Sequence, residues 1–412
     1  MPWYCYLAFK QLFPSGRRLS LHTVFYLLSL LGVILGVFLL VVSQSVMGGF
    51  GEMWKDKITK TNGDINILSQ QPIVDYPTYL ERLESEPGVK AAAPFAQGIG
   101  LLQHRGVPAL PAVLGLDIER GPAVLPIDEF LIASSLDDLD DYSVLLSTSL
   151  ASSLGVRVGD VVEFHTPLMI ERIKEEELLM PRELLVVGLF RTGWPDFDRS
   201  SMVVTLGLMQ EFYDLGEGIH RIALRLEPDV NADEVAQRLN TSLAYPLRAV
   251  TWSEQASDFL WVLGFERFMI FVLTIPINLV GGFVIVCAQL LTIVSKTREI
   301  GLIGALGGTP RQLMAGYCFQ GFLIGALGSG LGVLLGILFL SSRDEIVKAL
   351  AHLTGSEAIL EQFYAFTALP VDYSWINFVF ISLSAILLST LASIIPAIFA
   401  AKKKPADALR SG

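Results

Sequence analysis

A short charged stretch of the chain carries the side chains best suited to binding another molecule. It is Ser295–Leu313, SKTREIGLIGALGGTPRQL, and the long runs on either side contain no Asp, Glu, Lys or Arg. Apolar residues recur in it at helical spacing, Gly307-Gly308 offers a stop, and Thr309-Pro310-Arg311-Gln312 has the form of a capping box. The stretch therefore predicts a small amphipathic helix at a membrane face. Such a helix is suited to being displaced by a partner protein. Its candidate contact residues are Lys296, Arg298, Glu299, Ile300, Ile303, Leu306 and Gly307.

Catalytic and metal-binding chemistry is not indicated elsewhere in the sequence. The phosphate-binding pattern GxxxxGK[ST], the hydrolase patterns HExxH and GxSxG, and paired CxxC motifs are missing. The histidines lack ligand spacing, and the acidic run Asp137–Asp141 lacks the glycine and spaced oxygens of a calcium loop, so no metal site is predicted. We therefore expect a non-catalytic chain without a cofactor of its own, driven by a separate cytoplasmic motor.

Four uncharged segments account for the apolar composition of the chain. It has 412 residues, of which 52% are hydrophobic, and a mean hydropathy of +0.53. Each segment exceeds the ~18 apolar residues that mark a membrane-spanning helix. We therefore predict an integral membrane protein with four transmembrane helices and a large α+β outer domain between the first and second. The predicted order is a cytoplasmic segment (1–18), transmembrane helix 1 with a stalk (19–51), the outer domain (52–260), transmembrane helix 2 (261–295), the charged stretch (296–311), transmembrane helix 3 (312–342), an outer loop (343–372), transmembrane helix 4 (373–401) and a cytoplasmic tail (402–412).

The distribution of charge predicts the orientation. The chain has a net charge of −11, yet residues 1–18, 296–311 and 402–412 are each rich in Lys and Arg. Short basic segments stay on the cytoplasmic side, so both termini and the charged stretch are predicted to be cytoplasmic. The first apolar run is longer than a signal-peptide core and shows no small-residue cleavage site, so we expect an uncleaved anchor.

The outer domain is predicted to mix strands with helices around a barrel-like middle at Ser143–Phe190. Alternation of apolar and polar residues indicates strands, and Asn231 is a candidate helix cap. The strand candidates are 64–68, 89–95, 113–117, 144–146, 161–164, 184–189, 202–205 and 221–226, and the helix candidates are 76–86, 149–154, 206–214 and 231–240. Thr166–Glu183 places 18 residues between two strand candidates, more than a hairpin needs. Two interpretations of this loop stay open: it binds a partner, or it is a variable insertion without a function.

Small residues in two of the predicted spans indicate close helix packing. Gly32 and Gly36 form a small-xxx-small step in the first span. In the third span, one helical face carries Gly321, Gly325, Gly328, Gly332 and Gly336. Lipid gives no reason for such a stripe, whereas the close approach of another helix does. A tight contact within the membrane is therefore predicted for the third span.

Taken together, these motifs resemble the permease subunits of ABC transporters. KTREIGLIGALGGTPRQL and the glycine-striped span after it are similar to the cytoplasmic coupling loop of permeases with four spans and a large periplasmic domain between the first two. LAFKQL and SLLGVILGVFLLVVSQSVMGGF near the N-terminus, with TWSEQASDFLWVLGFERFMIF before the second span, narrow the resemblance to the lipoprotein-releasing (Lol-type) permeases. The resemblance covers nearly the whole chain.

The resemblance implies a permease dimer in the bacterial inner membrane, either homomeric or heteromeric. It implies a pair of cytoplasmic ATPases that bind ATP and Mg, and a periplasmic lipoprotein carrier. Movement of the coupling helix would reach the outer domain through the stalks and expel a triacylated lipoprotein held between the first and second spans. No nucleic-acid partner is expected.

The resemblance also implies functional positions in this chain. By position, Lys296–Gly308 is the coupling helix and Thr166–Glu183 takes the place of a carrier-binding hook. Apolar character and location select candidates for the lipid cavity, namely Val46, Met47, Phe50, Phe265, Phe268 and Met269. The position of the hook gives the carrier-loop candidates Pro167, Met169, Ile170, Pro181 and Arg182. Two other functions stay open: a macrolide-exporter-type pump, and a non-transporting relay that controls a periplasmic partner.

Overall fold

The computed structural model describes residues 3–12, 21–132, 134–166, 181–354 and 369–402. The chain divides into Met1–Glu52 with Val262–Gly412, which we call the helical unit, and Met53–Trp261, which we call the α+β unit. The described helices are α1 (Trp3–Leu12), α2 (Leu21–Asn62), α3 (Tyr76–Glu84), α4 (Gly121–Val124), α5 (Thr148–Leu154), α6 (Pro195–Arg199), α7 (Leu206–Phe212), α8 (Ala232–Ser242), α9 (Trp252–Gln255), α10 (Ser257–Ser295), α11 (Thr297–Ala305), α12 (Pro310–Ser341), α13 (Arg343–Thr354), α14 (Trp375–Ala392) and α15 (Ile394–Ala401). The described strands are β1 (Ile65–Ile73), β2 (Val89–Ile99), β3 (Leu101–His104), β4 (Val107–Ala109), β5 (Ala112–Leu116), β6 (Leu131–Ile132), β7 (Ser143–Ser147), β8 (Val161–His165), β9 (Arg182–Phe190), β10 (Ser201–Thr205), β11 (Ile219–Leu226) and β12 (Arg248–Thr251).

A mixed β-sheet forms the centre of the α+β unit. Its strand order is β12-β1-β11-β2-β5-β10-β7-β9-β8-β3-β4, with β6 paired to β9, and the β5–β10 and β7–β9 pairs are parallel. Alternate residues of a strand point to opposite faces, and both faces are covered: Ile222 and Leu224 join one core cluster, whereas Ala223 joins another. Among the described strands the sheet is open at β12 and β4, so the barrel-like middle expected at Ser143–Phe190 is wrong. Strands β7, β8 and β9 are consecutive parts of the larger sheet.

The secondary structure predicted for this unit is otherwise confirmed to within a few residues. Each strand and helix candidate corresponds to an observed element. Asn231 caps α8, because its side-chain oxygen accepts a hydrogen bond of 3.0 Å from the backbone N–H of Asp233. The short helices α4 and α6 were not predicted, and neither were the strands β3, β4, β6 and β12, which have four residues or fewer. Such short strands are held by their neighbours and show little periodicity of their own.

Four segments in the described part of the chain are long and apolar enough to cross a membrane: Val24–Asn62, Ser257–Ser295, Pro310–Ser341 and Trp375–Ala401. The first helix, α2, continues beyond the predicted end at Gly51 to Asn62, because no breaker occurs before Gly63 with its positive φ of 80°. At 1.5 Å per residue, its 42 residues extend over about 63 Å. Helices α14 and α15 meet at Ser393, and Pro396 falls in the first turn of α15, where a missing N–H costs little.

The predicted close contact of the third span is confirmed, and it involves two neighbours. A Cβ at Gly325 would lie 2.9 Å from the Cα of Ile386 on α14. One at Gly332 would lie 2.8 Å from the Cβ of Val37 on α2. Of the remaining glycines of the stripe, Gly321 faces Ser389 and Ser393 at the end of α14, whereas Gly328 and Gly336 face Val33 and Val41 on α2. Helix α12 is therefore packed against both α14 and α2 through one face.

The small-residue step of α2 is confirmed as a packing site for α10. Gly32 approaches Gly281, where an added Cβ would lie 3.3 Å from the Cα of the facing glycine. Gly36 approaches Asn278, and its added Cβ would lie 2.7 Å from the side-chain oxygen. The order of these contacts shows that α2 and α10 run antiparallel.

An extended segment lies against α2 at two further glycines that the sequence analysis did not single out. The backbone N–H of Asp372 donates to the carbonyl of Ser45 at 2.9 Å. A Cβ at Gly48 would lie 3.0 Å from the Cβ of Asp372, and one at Gly49 would collide with the backbone of Pro370 and Val371. These glycines are therefore required for close approach and not for chain flexibility.

Gly49→Val is expected to displace this segment and to lower the free energy of unfolding by about 1–3 kcal/mol, the usual cost of forcing extra carbons into a packed site. Thermal melting of the purified chain in detergent measures the change. Gly51→Val is the matched control, because it places the same side chain in the same helix where nothing lies within 4 Å. Equal melting temperatures for the two variants would show that the contact is not stabilising.

Candidate functional site

Local sequence signals fix both ends of α11, which corresponds to the predicted coupling helix. Its last turn closes at Leu306, and Gly307 follows with φ of 98°, a conformation that favours glycine. At the start of α12, the Thr309 hydroxyl accepts from the Gln312 N–H at 3.3 Å, and the Thr309 N–H donates to the Gln312 side chain at 3.0 Å. Pro310 occupies the first turn of α12. The predicted stop and capping box are therefore confirmed.

The inward face of α11 is packed against three other helices of the same unit. Ile300 is 4% exposed and Ile303 is partly buried. Both belong to an apolar cluster with residues of α10, α12 and α15, namely Ile293, Leu313, Tyr317, Ala397 and Ala400. Because close-packed side chains transmit displacement, a movement of α11 would also move the ends of these three helices.

The outward face of α11 differs from the prediction in one respect. Leu306, expected on the same face as Ile300 and Ile303, is 80% exposed, because the helix ends at Ala305 and the periodicity does not extend to Leu306. Leu302, which is not among the predicted contact residues, is 54% exposed. Arg298 and Leu302 lie four residues apart on α11, and Leu306 follows just beyond its end, so exposed cationic and apolar groups lie close together here.

The charges of α11 are only partly paired among the residues that the structure describes. Lys296 Nζ lies 3.2 Å from the carboxylate of Glu299, whose side chain is 64% exposed. Such an exposed pair contributes little to stability. The charged groups of α11 are therefore available to a partner protein.

A buried glutamine ties the helix ends behind α11 together. Gln289 on α10 is fully buried, and its side-chain N–H₂ donates to the Ser393 hydroxyl at 2.9 Å and to the Tyr317 carbonyl at 3.4 Å. Polar side chains that bond between helices resist separation in a low-dielectric interior. Gln289 was missed because a single polar residue in an apolar run gives no indication of its partner.

The lipid-cavity candidates occupy the same level on two antiparallel helices. Both groups lie about ten residues, or about 15 Å, beyond the Gly36–Asn278 contact. On α2, Val46, Met47 and Phe50 are half-buried, whereas on α10, Phe265, Phe268 and Met269 are 49%, 59% and 41% exposed. The open apolar surface at this level is thus supplied mainly by α10.

Three aromatic rings bring together parts of the α+β unit that are distant in sequence. Trp54 of α2, Phe259 of α10 and Trp194 of the loop after β9 meet edge to face, with ring centroids 5.3–5.6 Å apart. Lys57 lies over the Trp54 ring at 5.2 Å and donates to the Gly193 carbonyl at 2.8 Å. The aromatic cluster therefore joins both helices to the sheet.

The carrier-loop candidates are only partly placed. Pro167, Met169 and Ile170 lie outside the described residues. Arg182 begins β9, where its guanidinium stacks over the Tyr142 ring at 5.1 Å and lies 3.6 Å from the carboxylate of Glu211. Pro181, just before it, is half-buried. Arg182 therefore has partners within the unit at the base of the loop.

His220 is a half-buried titratable group of the α+β unit. Its Nδ1 accepts a hydrogen bond of 3.1 Å from the Gln97 N–H, and its ring packs edge to face on Tyr213. Burial lowers the pKa of His220 below its ordinary value. Protonation at Nδ1 would also break the bond from Gln97.

Acidification is expected to destabilise the protein through His220. Because the pKa is lower in the folded than in the unfolded protein, its contribution to stability is complete above about pH 6.5 and is lost as pH falls through the folded pKa. Since the ring is half-exposed, we expect a fall in melting temperature of no more than about 2 °C between pH 7.5 and 5.5. His220→Gln, which does not titrate, should show a smaller fall. An identical fall in both proteins would assign the effect to other groups.

Two family models match the chain over adjacent regions. The MacB-like periplasmic core domain matches residues 26–242, more than half of the chain, and the FtsX-like permease C-terminal domain matches residues 269–405. Together they cover α2, most of the α+β unit, α11 and the later spans.

Similar proteins extend over nearly the full length. A lipoprotein-releasing system transmembrane protein LolC from Xylella fastidiosa is 29% identical, with 96% of each chain covered. LolC from Neisseria meningitidis is 26% identical over 96% of each chain, and LolE of the same system from Haemophilus influenzae is 23% identical over 93% of each. Among solved structures, the periplasmic region of MacB from Actinobacillus actinomycetemcomitans is 13% identical with a TM-score of 0.34, and covers 49% of this chain and 95% of that one. With the two family models, the LolC and LolE relatives show that the chain belongs to the MacB/FtsX-like permeases and, among them, to the lipoprotein-releasing (Lol-type) ABC transporter permeases.

Proposed function

We propose that this chain is the permease subunit that extracts lipoproteins from the bacterial inner membrane and passes them to a periplasmic carrier. In this proposal both termini and α11 are cytoplasmic, and the α+β unit lies in the periplasm between the first and second spans. A separate ATPase dimer binds ATP and Mg and supplies the energy, and a second permease subunit, identical or related, completes the complex.

The outward face of α11 is the single observation that carries the proposal. It offers Arg298, Leu302 and Leu306 to a partner, while its inward face is packed on the ends of three helices. A docked ATPase that moved α11 would therefore move those helices as well. This is the arrangement that a non-catalytic permease needs to receive work from a separate motor.

Two long helices support a mechanical route from the membrane to the α+β unit. Helices α2 and α10 each include residues of both units, and α2 continues uninterrupted to Asn62. Hydrogen-bonded helices are stiff along their axis, so they are suited to carry displacement. In the proposal they act as the stalks, and the aromatic cluster of Trp54, Trp194 and Phe259 joins them to the sheet.

The apolar surface of α10 supports a lipid-linked cargo and a second subunit. In the most apolar stretch of α10, 17% of the helix is buried against the rest of the structure, compared with 39% in the corresponding stretches of α2 and α12. We assign the acyl chains of the cargo to the level of Phe268 and Met269, facing Val46 and Met47. The carrier contact is assigned to the loop that includes Pro167, Met169 and Ile170, with Pro181 and Arg182 at its base.

Reconstitution tests the proposal. The full-length chain, its second permease subunit and the ATPase that co-purifies with them are placed in proteoliposomes with a triacylated lipoprotein and a soluble lipoprotein carrier. We expect ATP-dependent transfer of the lipoprotein to the carrier, and no transfer with a non-hydrolysable nucleotide. ATP hydrolysis without transfer would contradict the proposal. Export of a soluble peptide or drug would instead indicate an efflux pump, and activation of a cell-wall hydrolase a relay.

A further inference from the structure

Strand β11 directs two arginines to the same side of the sheet, towards the end of α2. Arg221 is 5% exposed and has no ion pair among the residues that the structure describes. Its guanidinium donates to the Asn66 side-chain oxygen at 2.7 Å and to the Asn62 carbonyl at 3.3 Å, and it lies over the Phe95 ring at 5.2 Å. Burial lowers the pKa of Arg221 to about 10, so it stays charged at neutral pH.

Arg225, four residues along the same strand, binds the preceding turn of the helix. Its guanidinium donates to the Thr59 carbonyl at 3.1 Å and to the Val124 carbonyl at 2.6 Å. It also lies 3.4 Å from the carboxylate of Asp64, which accepts the backbone N–H of Leu226 at 2.9 Å. One side chain therefore joins the helix, the sheet and the α4 segment.

Both arginines contact the carbonyl end of α2, where backbone acceptors lack helical partners and the helix dipole is negative. The helix stops at Asn62, and Gly63 follows in a left-handed conformation with its N–H donating to the Thr59 carbonyl at 2.8 Å. A Cβ at Gly63 would lie 3.1 Å from the Leu224 carbonyl, so the helix end is held directly against β11. Charge-assisted bonds to these carbonyls are stronger than neutral ones.

The same group of side chains reaches the beginning of the second long helix. The Asn66 side-chain N–H₂ donates to the Asn62 carbonyl at 3.0 Å and to the Gln255 side-chain oxygen at 3.4 Å. Gln255 ends α9, two residues before α10 begins, and the Trp252 N–H donates to the Asp64 carbonyl at 3.0 Å. We call Asp64, Asn66, Arg221, Arg225 and Gln255 the helix-end cluster.

A purely stabilising role explains Arg221 poorly. Burying a guanidinium without a carboxylate partner costs solvation free energy, and apolar replacements of buried charges are often neutral or stabilising. An apolar side chain at this position, however, cannot bond to the helix carbonyl. A charged donor at this position is suited to hold the helix end against the sheet.

We propose that Arg221 and Arg225 are positioning residues that fix the end of α2 to the sheet and, through Asn66 and Gln255, hold the segment that leads into α10, so that displacement of the stalks is delivered to the α+β unit. The inference rests on the proposed function and names the point at which force leaves the helices. It assigns to the helix-end cluster a role in coupling, separate from ATP hydrolysis and from cargo binding.

The test compares Arg221→Met and Arg225→Gln with Arg238→Gln in the complete reconstituted transporter. Arg238 is a matched control, because it lies in the same unit, pairs with Glu86 at 3.3 Å and is 49% exposed. We expect ATPase rates within about twofold of wild type for all three, and lipoprotein transfer reduced about tenfold only for the first two. Arg225→Lys should restore part of the transfer, because a lysine still reaches one of the acceptors. Unchanged transfer in both cluster variants would overturn the proposal.

A distance measurement separates coupling from folding and from the proposed function. Spin labels replace the exposed Lys55 on α2 and Glu81 on α3, both within the α+β unit. In wild type the distance between them should be the same with and without trapped ATP, because the helix end and the sheet move together. In the cluster variants it should change on trapping, and a constant distance there would overturn the proposal.

If wild type transfers no lipoprotein, the proposed function fails, whereas the label distances still decide the role of the arginines. If Arg221→Met does not fold, Arg225→Gln and Gln255→Ala provide the same comparison.

Discussion

Exchanging the charges of Arg298 and Glu299, in the double variant R298E/E299R, is expected to abolish ATP-dependent lipoprotein transfer in a chain that still folds. Both side chains are exposed on α11, and neither belongs to the apolar cluster of Ile300 and Leu313 that holds the helix in place. The exchange keeps the net charge of α11 constant and reverses the positions of the positive and the negative side chain. It also replaces the carboxylate beside Lys296 by a second cation.

The expected loss is large because docking of a motor on a short helix depends on few contacts. Mispaired charges in an interface cost about 2–5 kcal/mol, which lowers affinity at least ~30-fold. Co-purification of the ATPase with the permease, followed by transfer in proteoliposomes, measures the two consequences in order. Arg311→Gln is the control: Arg311 is an exposed cation of the same connection, in the first turn of α12 and outside α11. Normal transfer by R298E/E299R would remove α11 from the coupling route.

Helix α11, the predicted coupling helix, shows which parts of a site can be predicted from sequence. Its limits are fixed by local chemistry, namely the left-handed Gly307 and the capping box at Thr309, and both were identified in the sequence. The direction of Leu306 was not, because an apolar repeat was extended one residue past the point where the helix ends. Leu302 was overlooked because an apolar residue on the outer face of a helix has no local signature.

Tertiary partners were the least predictable feature. The glycine stripe of α12 indicates that some helix approaches closely, but a stripe on one helix carries no information on how many neighbours divide it between them. The aromatic cluster joins Trp54 to Trp194 and Phe259, and Arg221 meets Asn62 across a sequence separation of 159 residues. Alternation along β11 predicted a strand there and gave no reason to separate Arg221 from other strand residues. Contacts of this kind depend on topology, which local patterns do not encode.

Gly332→Leu is expected to separate α2 from α12 and to lower the free energy of unfolding by about 3 kcal/mol or more. A Cβ at this position would lie 2.8 Å from the Cβ of Val37 and 2.9 Å from the carbonyl of Ile34. The second of these atoms belongs to the backbone, so a side-chain rotation cannot relieve the contact. The outer atoms of leucine would extend farther into the same space.

The matched control is Gly330→Leu on the same helix, where an added Cβ meets nothing within 4 Å. Both substitutions replace glycine by a better helix former, which favours the helix by up to about 1 kcal/mol. Intrinsic helix propensity therefore cancels between the two variants, and the difference in their melting temperatures in detergent reports the packing contact alone. Because lipid tails are as apolar as leucine, solvation does not drive α2 and α12 together, and their association depends on how closely the backbones approach. If the two variants had the same melting temperature, the glycine stripe would not be the feature that holds α12 to α2.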